Sequence, residues 1–570
     1  MAALPGLRRT FSNLLKILSN LIVSLRRRGL DYVVIRLTGS YPERREPPPA
    51  LPFPLNRLVS LPVEVSLEGL RQRLETLARD RRVRGVALHI GQLTAEPATV
   101  QALRGMVKEL QSAGKQVICW LPSADTWVTY LAAACDKVFL PESGTLFAPG
   151  LRVETVFLRD ALGLAGVEAD LEAFSEYKVT PDLFRRMTMS EPHREMLEAI
   201  LDSEFKELVR SIAEGRGLSQ ERVRALMDRM PLSAQEAVEG GLTDDTLYVD
   251  ELAAALGSEE CPAPLLEWHQ ARRWLRRPVR WRDRPAIGVV SVEGTIVLGP
   301  SRRLPPLPVP IPLMLEQAGS DTVMQALRAA EEDQRIAAVI LHVESPGGSA
   351  LASDLIWREV NRLKQRKPVV TLMGNQATSG GYYVSAPANA IVSQPFTLTG
   401  SIGIWGGKFV TAGLLDKLRI GREALQRGDR AGLYADSAPF TKEQREAIQE
   451  QIGLGYDRFK ARVAEGRNMN LEQVEEIARG RVWTGRQALK RGLVDELGGF
   501  ENALRRAKSL AGLDPHQWYP TVTVRAPQQT QLPRPHLSSE GTLTVVMESW
   551  QALGREHVWA LPPWKVQLLG

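Results

Sequence analysis

Cysteine is scarce in this 570-residue chain: Cys119, Cys135 and Cys261 are the only three, with no Cys-x-x-Cys spacing and no Cys/His cluster. A structural zinc site or a disulfide framework is therefore not expected. Histidine is scarce as well, and none of the seven falls in an HExxH pattern. No metal and no cofactor are expected. The body of the chain also lacks an excess of positive charge. The formal net charge is +6, yet residues 1–45 alone hold nine basic side chains against Asp31 and Glu43. The remainder is close to neutral, so the pattern is a basic N-terminal arm rather than a nucleic-acid-binding surface.

An apolar run long enough to cross a bilayer is missing too. In residues 7–28, Phe11, Leu14, Leu15, Leu18, Leu21, Ile22 and Leu25 recur at three- and four-residue steps, with Ser12, Asn13, Lys16, Ser19 and Asn20 between them. This spacing predicts an amphipathic helix, closed by Arg26-Arg27-Arg28-Gly29. Lys16 and the polar face argue against a membrane span, and no A-x-A-like site marks a signal peptide. Such a helix either lies in a membrane interface or packs on protein. The expected location is at a membrane, with a soluble cytoplasmic protein as the alternative. Residues 41–54, YPERREPPPALPFP, read as a proline-rich linker.

What the chain does have is a regular alternation of strand and helix patterns, read as α/β with mainly parallel sheets. It also repeats itself at a spacing near 250 residues. IAAVILHV (336–343) echoes VRGVALHI (83–90), so His342 falls on His89. GRQALKRGLVDE (485–496) echoes AQEAVEGGLTDD (234–245). This is a duplicated domain rather than a short-period solenoid. The divisions are residues 1–54, the helix and linker; 55–283, the first repeat; 284–512, the second; and 513–570, a tail with prolines and tryptophans and no assigned role. A proline-rich insert at 302–312 reads as a lid or rim, or equally as a neutral insertion.

The repeats differ where chemistry is expected. In the second, a β-branched run, PVVTLMG (368–374), leads to ATSGGYY and then to a short helical pattern that must break near Pro387. Ser379 thus sits where a strand hands over to a helix, beside unpaired backbone N–H groups. On this stretch alone, a tight turn that needs small residues only for packing serves as well. The first repeat places Thr126, Trp127 and Val128 opposite Ser379, Gly380 and Gly381, and GQLT (91–94) opposite SPGG (345–348). A nucleophile is therefore expected only in the second repeat. His89 and His342 share one strand position and read as structural. Tyr382 and Tyr383 read as core or pocket wall.

SPGG, followed by TSGGYY and TLTGSIGI, resembles the signal peptide peptidase A (protease IV) family of serine peptidases, over residues 56–512. The resemblance implies two tandem crotonase/Clp-protease-like domains and a Ser–Lys dyad. Ser379 would be the nucleophile and Lys178, in FSEYKVTPDLF, the base, supplied by the first repeat. The second repeat has Asp429 opposite Lys178. Where the family has Ser-Ala after the lysine, this chain has Val179-Thr180. The resemblance further implies an oxyanion hole at Gly348 and Gly380. Gly347 and Ser401 are expected to flank bound peptide, although Ser401 is also a competing serine. Implied substrates are cleaved signal peptides and other unfolded hydrophobic peptides, and the implied assembly is a homo-oligomer. A non-catalytic peptide-binding or membrane-scaffold protein, and acyl-CoA chemistry on the same fold, are the alternatives.

Overall fold

The computed structural model describes residues 4–25, 30–44, 65–276, 279, 284–303, 316–527 and 558–560. The chain divides into two compact units, residues 1–152 with 205–283 and residues 153–204 with 284–567.

The first unit is built on a six-stranded sheet. Its spatial order is Leu265–Glu267, Tyr32–Gly39, Gly85–Leu93, Gln116–Trp120, Lys137–Leu140 and Asp245–Thr246. Every neighbouring pair is parallel, for example Val33 with Val86 and Leu88 with Cys119. Parallel strands need crossovers, here Pro97–Ser112 and Thr126–Ala132 among others. Tyr32–Gly39 lies in the part of the chain read from the sequence as helix and linker, yet it is an inner strand whose first four residues are buried. The proline-rich stretch from 45 to 54 lies outside the described residues, whereas Tyr41 and Arg44 are buried.

The N-terminal helix runs from Leu4 to Leu25. Its apolar stripe faces away from the protein: Leu14, Leu18 and Leu21 are each more than half exposed, while Asn13 and Val23 are buried. Among the described residues, no helix is long and apolar enough to cross a membrane.

The second unit carries two sheets. The larger follows the order Val482–Thr484, Leu398–Gly400, Val369–Thr378, Ile336–Ser345, Ala286–Glu293 and Thr521–Thr523, with Ala390–Ser393 also paired to Val369–Thr378. All of these pairs are parallel except Leu398–Gly400 with Val482–Thr484. The central strands are apolar on both faces, as parallel strands between helices must be. Val339, Ile340, Leu341, Val369 and Val370 are completely buried. The second sheet runs Arg302–Arg303, Glu316–Gly319, Thr295–Val297, Gly348–Ser349, Val558–Ala560, Trp405–Val410 and Glu168–Ala173. The rest of the insert, 304–312, lies outside the described residues.

The compact units and the sequence repeats part company at residues 153–204. This segment carries Lys178, and it packs with residues 284–567 rather than with the rest of the first repeat. Glu168–Ala173 pairs antiparallel with Trp405–Val410 over six residues, Ala173 opposite Trp405 and Glu168 opposite Val410. Val179, Met196 and Ile200 form an apolar cluster with Leu398 and Val482. Arg445 bridges to Asp170 and Glu172, and Gln487 Nε2 donates to the Ala199 carbonyl at 2.8 Å. The tail also joins the fold: Thr521–Thr523 is an edge strand beside Ala286–Glu293, and Val558–Ala560 is an inner strand of the second sheet.

Candidate active site

The strand Val369–Thr378 delivers Ser379 to the start of the helix Gly380–Ser385. Glu344 shapes the approach by accepting from the N–H groups of Asn375 at 2.7 Å and Gln376 at 3.1 Å. These bonds lie where the pairing register slips between Val343 and Ser345. Ser379 has φ of 55°, a conformation that costs a non-glycine residue about 1–3 kcal/mol. Surrounding bonds hold it there: its N–H donates to the Gly400 carbonyl at 2.7 Å, and its carbonyl accepts from Tyr383 N–H at 2.8 Å.

Lys178 meets Ser379 within the second unit. Its Nζ lies 2.7 Å from Ser379 Oγ, 3.0 Å from Ser401 Oγ and 3.2 Å from the Ser401 carbonyl. Lys178 is 2% exposed, and Ser379 and Ser401 are completely buried. Burial alone pushes the lysine pKa well below its ordinary value. A neutral amine has two N–H groups and one lone pair. The three contacts match that inventory, with Ser379 O–H donating to the lone pair and the two N–H groups donating to Ser401. An ammonium at the same place would sit in a dry pocket of neutral oxygens.

The backbone of Lys178 comes close because two glycines let it. A Cβ on Gly480 would fall 2.5 Å from Lys178 N, and one on Gly403 would fall 3.1 Å from Lys178 Cδ. Phe174 N–H donates to the Ile404 carbonyl at 3.0 Å and Tyr177 N–H to Arg479 at 3.2 Å, which fixes the turn before the lysine.

Gly348 and Gly380 are brought together beside the serine. A Cβ on Gly380 would stand 3.1 Å from Gly348 N and 2.6 Å from Ser353 Oγ, and a Cβ on Gly348 would stand 2.0 Å from the Ile296 carbonyl oxygen. Thr378 Oγ1 donates to the Pro346 carbonyl at 3.2 Å and ties the two loops. Gly347 is engaged within the protein: its N–H donates to Ser345 Oγ at 3.1 Å, and its carbonyl accepts from Ile296 N–H at 2.8 Å. Ser401, expected from the sequence to flank substrate, is a contact of the lysine. Thr180 is buried, but the oxygens beside Lys178 Nζ belong to Ser379 and Ser401. The GSIGI stretch held the signal for Ser401 and Gly403. ARGRVW, which holds Gly480, offered none.

Other candidate residues are occupied elsewhere. His342 Nδ1 is 3.3 Å from Glu293 Oε1. The ring of His89 packs at 5.4 Å from that of Trp120. Tyr382 O–H donates to the Leu493 carbonyl and Tyr383 O–H to Asp354. In the first unit, Thr126 begins the corresponding helix, but Asp125 caps it and accepts from Val128 N–H at 2.7 Å. The carboxylate thus serves as an N-cap of that helix.

Ser401→Ala removes one of the two acceptors for the lysine N–H groups. We expect kcat to fall by about tenfold, the size of one lost hydrogen bond at 1–1.5 kcal/mol, with KM nearly unchanged. Steady-state kinetics on a short peptide reads both.

The family model for peptidase family S49 matches residues 109–260 and 361–514, one match in each sequence repeat. The chain is 32% identical over 478 residues to a chloroplastic serine protease SPPA of Arabidopsis thaliana, covering 82% of this chain and 69% of that one. It is 30% identical over 468 residues to Protease 4 of Haemophilus influenzae, covering 79% and 74%. With Protease 4 of Salmonella typhi it shares 28% identity over 514 residues, covering 84% and 81%. Matched by the family model over more than half of its length, and by serine proteases over most of it, the chain belongs to peptidase family S49 and is a serine peptidase.

Proposed function

We propose that the chain is an endopeptidase in which Ser379 attacks the peptide carbonyl and Lys178 is its general base. The observation that carries this reading is the 2.7 Å approach of Lys178 Nζ to Ser379 Oγ, in a pocket whose burial alone lowers the lysine pKa. Neutral Lys178 takes the Ser379 proton as Oγ bonds to the carbonyl carbon, then returns it to the leaving amine. The N–H groups of Gly348 and Gly380 hold the oxyanion. Ser401 keeps the amine turned so that its lone pair faces Ser379. Water then releases the acyl group with the same lysine as base.

The substrates are cleaved signal peptides and other unfolded hydrophobic peptides, bound as extended strands beside the sheet. The working form is a homo-oligomer.

A fluorophosphonate probe should label wild type at Ser379 and leave Ser379→Ala unlabelled, as peptide mapping would read. The pH dependence tests the base. Because the folded pKa of Lys178 is lowered, the neutral fraction grows as pH rises through it, so kcat/KM and the labelling rate should climb together and then level. A profile that stays flat from mildly acid to alkaline pH rules out a lysine base.

The outward stripe of the N-terminal helix and the arginines around it fit a membrane interface. Full-length protein should co-sediment with anionic liposomes, less so in salt, and not with neutral ones. Loss of residues 1–45 should abolish sedimentation. A smaller mass with no change in sedimentation would mean that the helix joins subunits.

A further inference from the structure

The tail segment Val558–Ala560 lies on the edge of the proposed oxyanion loop. Gly348–Ser349 is a two-residue strand with neighbours on both sides. On one side Gly348 stands opposite Ile296, in parallel. On the other, Gly348 stands opposite Ala560 and Ser349 opposite Trp559, antiparallel. The far edge of the same tail segment pairs antiparallel with the next strand, Trp405 opposite Trp559 and Gly406 opposite Val558. That strand directly follows the turn that carries Ser401 and Gly403. The three tail residues therefore fill a slot between the Gly348 loop and the strand leading away from Ser401. Remove them, and two strand edges with unpaired N–H and C=O groups face each other across the width of one strand. An extended peptide satisfies both edges by main-chain bonds alone, whatever its side chains. The register puts Ala560 opposite Gly348, beside the nucleophile.

We propose that Val558–Ala560 occupies the substrate strand of its own peptidase site and holds the enzyme in a self-inhibited form. The proposal rests on the assignment of Ser379 and Gly348 to catalysis. Residues 528–557 connect the segment to the edge strand Thr521–Thr523. Because the segment belongs to the same chain as the slot, its pairing there is intramolecular, and weak pairing suffices to block it. A peptide substrate must displace the tail, which raises apparent KM more than it lowers kcat.

The test uses the full-length chain with Val558→Pro, Trp559→Pro and Ala560→Pro combined, which removes the three N–H donors without shortening the protein. On a fluorogenic unstructured peptide, kcat/KM should rise at least tenfold over wild type, mainly through KM. A synthetic peptide covering residues 553–566 should inhibit the variant competitively and return its rate toward that of wild type. An unchanged or lower kcat/KM with no inhibition by the peptide overturns the proposal. So does a lowered melting temperature with lost activity, since the strand would then be a wall of the site. Fluorophosphonate labelling separates the two levels. Ser379 labelled equally in both forms, with unchanged kinetics, defeats the self-inhibition and leaves the dyad standing. No labelling in either form defeats both.

Discussion

Lys178→Ala is expected to lower kcat/KM by about 10²–10⁴, the range for loss of a positioned general base, while the fold survives. Ser379→Ala should cost at least as much. Because the two side chains act on one proton, the double variant should be little slower than the worse single variant. The reason lies in the pocket. Among the described residues no carboxylate lies against Lys178 Nζ, and burial is the cause of its lowered pKa, which fits the proposed role in proton acceptance better than ion pairing. Replacing a buried amine that has only neutral partners relieves a desolvation cost, so the melting temperature of Lys178→Ala should fall little and that of Lys178→Met should not fall. A Lys178→Ala protein that kept more than a tenth of the wild-type rate would remove lysine from the mechanism.

The second large effect is expected at Gly348. A methyl group there would stand 2.0 Å from the Ile296 carbonyl oxygen, a backbone atom that cannot swing aside. The loop must shift, and the Gly348 N–H moves with it. Loss of one oxyanion donor lowers kcat by about 10²–10³, with a smaller change in KM. Gly348→Ala should therefore still label slowly with fluorophosphonate yet turn over peptide hundreds of times more slowly. Gly380→Ala meets Ser353 Oγ at 2.6 Å, a side-chain hydroxyl that can move, and backbone only at 3.1 Å, so its loss should be smaller. Equal kinetics for Gly348→Ala and wild type would place the oxyanion elsewhere.

Much of the candidate site was legible because its signals are local. The strand before Ser379 is written in consecutive β-branched residues, and the helix after it in a Gly-Gly start. The duplication supplied an internal control, since the first repeat has Thr126 where the second has Ser379. In the structure Asp125 caps the first-unit helix and its carboxylate accepts from Val128 N–H, opposite Gly381. The repeat also marked Lys178 as unmatched, through Asp429, although only the family resemblance made it a base.

Three things were decided by tertiary structure. The segment 153–204 belongs by sequence to the first repeat, but it packs with the second, because six residues of antiparallel pairing with Trp405–Val410 and the cluster around Val179 outweigh chain order. Ser401 became a partner of the lysine, because its turn closes on Arg481 and faces the same pocket. Val558–Ala560 of the tail, without pattern in the sequence, became an inner strand. What the sequence determined by itself were the elements and the chemical types at their ends, since hydrophobic period and glycine placement act within a few residues. The tertiary structure alone decided which ends meet, because strand pairing and apolar clustering join segments hundreds of residues apart, and no local pattern records their partners.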